Sequence, residues 1–176
     1  MRSSRSKRTI RIFTDGAVLN NGTNFAKGGY AVFFGKDDPR NFAGPLISHT
    51  VTNNRAELMA VIKALEIILI HSEGRTFGQH VEIYSDSMYT IDSITKWIPG
   101  WKRRGWIKAD RDPVENMDLM SILDFAWTIA QKKMRIRLIH SPAHRDPPRD
   151  KKSKEYLIWY GNHMADRMAV KARDRR

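Results

Sequence analysis

The sequence predicts an α/β (α+β) domain: a five-stranded mixed β-sheet flanked by α-helices, in the order βββαβααβα. Three observations carry that expectation. Polar and apolar residues alternate in short runs near the start, the pattern shifts to helical spacing at residue 53, and β-rich runs then recur between helical stretches. With 176 residues, 41% hydrophobic and 10% aromatic, the chain has material for one core, which excludes disorder along its whole length.

Residues 1–8 hold four basic residues and no acid, and read as a disordered arm before a single domain at 9–176. Ile10, Ile12 and Thr14 alternate with Arg11 and Phe13 in a strand expected to stop at Asp15-Gly16. Asn20, Asn21 and Gly22 signal a turn, and residues 28–34 (GGYAVFF) follow as an antiparallel strand. A third strand is expected at 47–51. Asn53 or Asn54 caps a helix reaching about His71, with Leu58, Val61, Ile62, Leu65, Ile68 and Leu69 as its core stripe. Val81, Ile83 and Ser85 form a strand ending at Asp86. Residues 87–97 are helical until Pro99-Gly100 interrupts, and a basic, Trp-rich stretch continues to Lys108. Residues 118–132 form an amphipathic helix with Leu119, Ile122, Leu123 and Ala126 inward. The alternating Arg135–His140 is the fifth strand, and a Pro- and charge-rich loop leads to a last helix at 156–172.

Lys and Arg number 31 against 19 Asp and Glu, a net charge of +12 that points to a polyanionic partner, nucleic acid first. There is no cysteine, which excludes a disulfide framework, a thiol nucleophile and a cysteine zinc site, and suits an intracellular, reducing compartment. No apolar run approaches the roughly 18 residues a membrane span requires.

In so basic a chain the acids at strand ends are informative. Asp15 ends the first strand and Asp86 the fourth; Glu57 lies on the first turn of the long helix, and Asp166 inside the last one. If the first and fourth strands are neighbours, Asp15 and Asp86 meet at one end of the sheet, with Glu57 and Asp166 on the flanks. Singly, each acid is as well explained as a cap or turn residue. Together they describe a metal site, because clustered carboxylates need cations, and hard oxygen ligands suit Mg²⁺ or Mn²⁺. Two such ions can drive phosphodiester cleavage.

At these residues the sequence resembles the type 1 ribonucleases H. The resemblance rests on IFTDGA at residues 12–17, TNNRAELMA at 52–60, YSDSMYTIDSITKWIPGWKRRGW at 84–106 and GNHMADRMA at 161–169. It implies the ribonuclease H-like fold and endonucleolytic hydrolysis of the RNA strand of RNA/DNA hybrids, with two Mg²⁺ ions held by Asp15, Glu57, Asp86 and Asp166. Mn²⁺ is a substitute, and the implied product ends are 3′-hydroxyl and 5′-phosphate. His144 matches the family's mobile-loop histidine, which helps protonate the leaving group or release product. By position Gly16, Asn53, Asn54 and the Met88 backbone, with Asn20 or Asn21 in the first turn, approach the RNA strand and its 2′-OH groups. Thr52 and Asn116 match a pocket for a phosphate of the DNA strand, although Thr50 stands where some members carry arginine. Tyr89, Trp97 and Trp101 would line the DNA-strand channel, and Lys102, Arg103 and Arg104 belong to a basic handle at about 97–111. Two departures are expected to matter: an extended basic loop at about 145–156, and His163 where a glutamate is usual. The implied protein is a monomer without the separate hybrid-binding domain of some relatives. A binding module that keeps the fold without catalysis, and another nuclease of similar fold, are the alternatives.

Overall fold

The computed structural model describes residues 9–72, 80–143 and 145–175; the expected arm at 1–8 and His144 lie outside the described residues. Five strands, β1 (Thr9–Leu19), β2 (Lys27–Phe33), β3 (Phe42–Pro45), β4 (His80–Ser85) and β5 (Arg135–His140), form one mixed sheet in the order β3-β2-β1-β4-β5. β1 runs antiparallel to β2 from Phe13 opposite Phe33 to Leu19 opposite Lys27. It runs parallel to β4 only from Thr9 to Phe13. Past Phe13, β1 therefore pairs on one edge alone, and the strand continues through Asp15-Gly16 rather than stopping there. This long hairpin turns at Asn20 (φ 54°) and Gly22 (φ 77°).

Helix α1 (Asn53–His71) covers one face of the sheet and α5 (Lys154–Arg173) the other, over β1 and β2. Between them in sequence lie α2 (Met88–Asp92), a π-helical turn at Ser93–Trp97, α3 (Ile98–Arg103) and α4 (Met117–Lys133), which packs against α1. The main core joins Ile12 and Ile83 of the sheet to Leu58 and Leu65 of α1 and Met120 and Leu123 of α4. A second cluster under α5 holds Phe13, Phe33, Tyr84 and Ala165. No helix among the described residues is long and apolar enough to cross a membrane.

Four further expectations are corrected. The third strand is Phe42–Pro45, not 47–51: Phe42 to Pro45 pair with residues 29–32, and Pro45 is tolerated because β3 is an edge strand. Ile47 is 91% exposed. Thr52, rather than Asn53 or Asn54, caps α1, its hydroxyl accepting the Arg55 N–H. Pro99 does not break the helix, because it falls in the first turn of α3, where its missing N–H is not needed. Ile122 points outward at 50% exposure, and Met120 takes the core position.

Close approach of α5 to the sheet depends on glycine. A Cβ on Gly29 would collide with the backbone of Ala169 and Arg173, and one on Gly161 with the Phe13 ring. Backbone cannot yield as a flexible side chain does, so Gly29→Ala should lower the unfolding free energy by about 1–3 kcal/mol. A urea denaturation midpoint unchanged by the substitution would show that α5 does not sit this close to β2.

Candidate metal centre and nucleic-acid interface

The parallel pairing of β1 with β4 ends at Phe13 opposite Tyr84, so two residues later Asp15 and Asp86 emerge side by side. Glu57 reaches them from the first turn of α1. Its approach requires Gly16, since a Cβ there would lie 2.6 Å from the backbone of Ala56 and Glu57. The Gly16 N–H donates to Glu57 Oε1 at 2.9 Å. Asp15, Glu57 and Asp86 each offer an oxygen, and these atoms all lie within 4.8 Å of one another.

Such a cluster is electrostatically unfavourable by itself. Burial, then the charges of Asp86 and Asp166, push the Asp15 carboxyl up from 3.8 to about 8. Burial and the charges of Asp15 and Asp86 hold Glu57 well above the ordinary carboxylate range. Glu57 Oε2 is buried without a hydrogen-bond partner. Hard oxygen donors, mutual repulsion and an orphaned acceptor together fit a divalent cation such as Mg²⁺ or Mn²⁺.

The acids open into a cleft of about 710 Å³ between the β4–β5 face, α5 and the loop before it. Asp166 and His163 line this cleft, and Asp166 acts on Asp15 through its charge, although it stands outside the three-residue cluster. His163 stacks on Trp159, with ring centres 5.1 Å apart and planes 8° from parallel. Asn162 donates to the Ser141 hydroxyl, tying α5 to the end of β5.

A second depression, about 480 Å³, brings together Asn21, Thr52, Asn53, Asn54 and Asn116, with Thr50 and Glu115 at its wall. The Asn21 side-chain oxygen accepts the Asn53 N–H at 2.9 Å, joining the first turn to α1. Asn20 is exposed beside it. Asn116 is in the left-handed region (φ 54°), donates to the Tyr89 hydroxyl at 3.1 Å and accepts from Arg55. Arg55 also grips both oxygens of Asp118, at 2.9 and 2.6 Å, and the Ser48 hydroxyl. Sequence reasoning passed over Arg55, although it sits within TNNRAELMA, because its partner Asp118 is distant along the chain.

Tyr89, Trp97 and Trp101 form a continuous aromatic line, with ring centres 5.8 and 5.7 Å apart. Tyr89 and Trp101 also pack on the main core, so these rings hold the handle while keeping partly exposed edges. Met88 opens α2 at 43% exposure. Of the handle cations, Lys102 pairs with Asp124 at 2.7 Å, Arg104 donates to the Ile107 carbonyl, and Arg103 is exposed.

The fold and its acidic cleft define a class, the proteins of ribonuclease H-like architecture with carboxylates clustered at the ends of two central strands. The RNase H family model matches residues 7–174. The ribonuclease H of Schizosaccharomyces pombe is 44% identical over 110 residues, covering 62% of this chain and 38% of that protein. The ribonuclease H of Erythrobacter litoralis is 41% identical over 112 residues, covering 62% of this chain and 69% of that protein. The chain thus spans well under half of the first relative and about two thirds of the second. The crystal structure of LC11-RNase H1 in complex with RNA/DNA hybrid shares the fold, with a TM-score of 0.60 at 18% identity, covering 94% of this chain and 96% of that one. The chain belongs to the ribonuclease H family of enzymes.

The raised Asp15 carboxyl has a consequence for stability. Its folded value of about 8 exceeds the ordinary unfolded value of about 3.9, so the folded protein holds a proton that the unfolded chain releases. This contribution is fully present below about pH 4 and is lost as pH rises toward 8. Chemical denaturation in EDTA should therefore show stability falling across that window, with a shallower fall in Asp15→Asn. Mg²⁺ should restore stability at pH 8. The same pH profile with and without Mg²⁺ would count against a metal at these acids.

Proposed function

We propose that the chain hydrolyses the RNA strand of RNA/DNA hybrids endonucleolytically, without sequence preference, at a centre of two divalent ions, leaving 3′-hydroxyl and 5′-phosphate ends. The observation that carries this is the convergence of Asp15, Glu57 and Asp86 within 4.8 Å on a ribonuclease H-family scaffold. LC11-RNase H1, similar in fold, is bound to an RNA/DNA hybrid in its crystal structure, which supports the choice of substrate.

Asp15, Glu57 and Asp86 hold the cations, with Asp166 contributing from across the cleft. Divalent ions bound there supply an activated water and charge stabilisation at the leaving oxygen. His144 protonates the leaving group, a task suited to an imidazole near neutral pH. Asn20, Asn21, Asn53, Asn54 and the Met88 backbone read 2′-OH groups on the RNA strand. Thr52 capping α1 leaves the Asn53 and Asn54 side chains available for that role. Gly16 admits Glu57 and the RNA backbone by lacking a side chain. On the other strand Thr52 and Asn116 take a phosphate, Tyr89, Trp97 and Trp101 pack on deoxyribose, and Lys102, Arg103 and Arg104 meet the backbone.

The test is cleavage of an end-labelled hybrid with Mg²⁺. The RNA strand should be cut internally while the DNA strand and duplex DNA are spared. Loss of an outer partner of a metal site typically costs about 10–100-fold, so Asp86→Asn, removing a ligand, should cost more than about 100-fold. Equal turnover in both proteins, or none in the unaltered chain with either Mg²⁺ or Mn²⁺, would refute the proposal.

A further inference from the structure

The basic segment before α5 is a built surface. It carries Arg145, Arg149, Lys151, Lys152 and Lys154, all exposed, and among the described residues none of the five is within ion-pair distance of a carboxylate. The handle is partly neutralised, Lys102 by Asp124 and Lys108 by Asp110 and Asp112, while its Arg103 and Arg104 stand in no ion pair among the described residues. The segment is fixed to α5: the Trp159 indole N–H donates to the Arg145 carbonyl at 2.8 Å, and Ser153 caps the helix. Asp150 closes the turn by accepting the Lys152 N–H at 2.9 Å.

An aromatic row runs from this segment toward the acids. Tyr156, Trp159 and His163 lie on one face of α5, with Tyr156 5.4 Å and His163 5.1 Å from the Trp159 ring centre. Arg145, Lys154, Trp159 and His163 line the same cleft as Asp15, Glu57 and Asp86. Cations flanking aromatic rings are the chemistry of single-strand binding, in which bases and sugars pack on flat rings while the backbone meets charge. A duplex offers no free base faces to such a row.

We propose that this surface holds the RNA strand as a single strand where it runs beyond the hybrid, continuous with the cleft in which it is cut. The occupant is RNA because, on the ribonuclease reading on which this inference rests, the RNA strand is the one that lies over the acids. The surface then favours hybrids whose RNA strand extends past the duplex, as at the junction between a hybrid and a single-stranded transcript.

The test compares a blunt hybrid with hybrids carrying a single-stranded extension on the 5′ or 3′ end of the RNA strand, or on the DNA strand. Binding is measured with Mg²⁺ in the full chain bearing Asp86→Asn, alone and with Lys151→Ala, Lys152→Ala and Lys154→Ala added. An extension on one end of the RNA strand should tighten binding about fivefold, and the triple substitution should abolish that gain. Each single-strand phosphate contact contributes about 0.7 to the slope of log affinity against log salt, so the slope for the extended hybrid should fall by about 2. Tyr156→Ala should reduce the gain without changing the slope. Equal affinity for blunt and extended hybrids, a gain from the DNA-strand extension, or equal weakening of blunt and extended hybrids by the triple substitution would each overturn the proposal. Failure of the otherwise unaltered chain to cut the blunt hybrid would overturn the ribonuclease reading and this proposal with it, and the blunt substrate distinguishes that case.

Discussion

Three carboxylates held within 4.8 Å repel one another, and the surrounding fold is arranged to prevent their separation. β1 and β4 are paired in parallel register up to Phe13 and Tyr84, which brings Asp15 and Asp86 out side by side two residues later. Glu57 is pressed against them by α1, whose Val61 and Leu65 are buried in the main core. Gly16 is the permissive residue, because any side chain there would drive α1 and Glu57 away. The scaffold thus stores an unfavourable interaction that a divalent cation would relieve, which would couple metal binding to folding.

The global charge reinforces this local arrangement. The net charge of +12 is concentrated in residues 1–8, 96–111, 145–154 and 171–176, while the rest of the chain nets −3 and contains the four acids. A polyanion is drawn by the basic flanks and meets a mildly acidic centre. An acidic centre alone would repel a phosphodiester, whereas one loaded with divalent cations attracts it.

Much of this was legible in the sequence because strand ends and helical stripes leave periodic signals. The element order, the buried face of α1 and the meeting of Asp15 with Asp86 follow from periodicity and from the neighbouring placement of two strands. What escaped was set by pairing at a distance. β1 outruns its apolar alternation because β2 supplies partners as far as Lys27, and β3 falls on Phe42–Pro45 rather than 47–51 because pairing at the sheet edge makes Pro45 acceptable. The cap of α1 is Thr52 rather than Asn53 or Asn54 because the chain is already helical at Asn53, whose free N–H is met by Asn21, thirty-two residues away. Arg55 and Trp159 were invisible for the same reason, since their partners Asp118 and Arg145 become neighbours only in the fold.

Glu82 shows by contrast why the Asp15 cluster is the functional centre. It too is a buried acid on a central strand, four residues before Asp86 and on the same face of the sheet. Burial pushes its carboxyl up, but hydrogen bonds from Tyr84 and Arg137 and the charge of Arg11 outweigh that and leave it below its ordinary value. Arg11, Arg137 and the Tyr84 hydroxyl satisfy it at 3.2, 2.8 and 2.9 Å, fastening β1, β4 and β5 together. Tyr84 in turn stacks on Phe13, at 5.1 Å between ring centres, which packs where Gly161 lets α5 come close. The chain thus has the means to neutralise a buried acid with its own arginines and does so at Glu82, while at Asp15 and Glu57 it surrounds acid with acid. Among the described residues no arginine pairs with Asp15 or Glu57, and acids so placed suit a cation from solution.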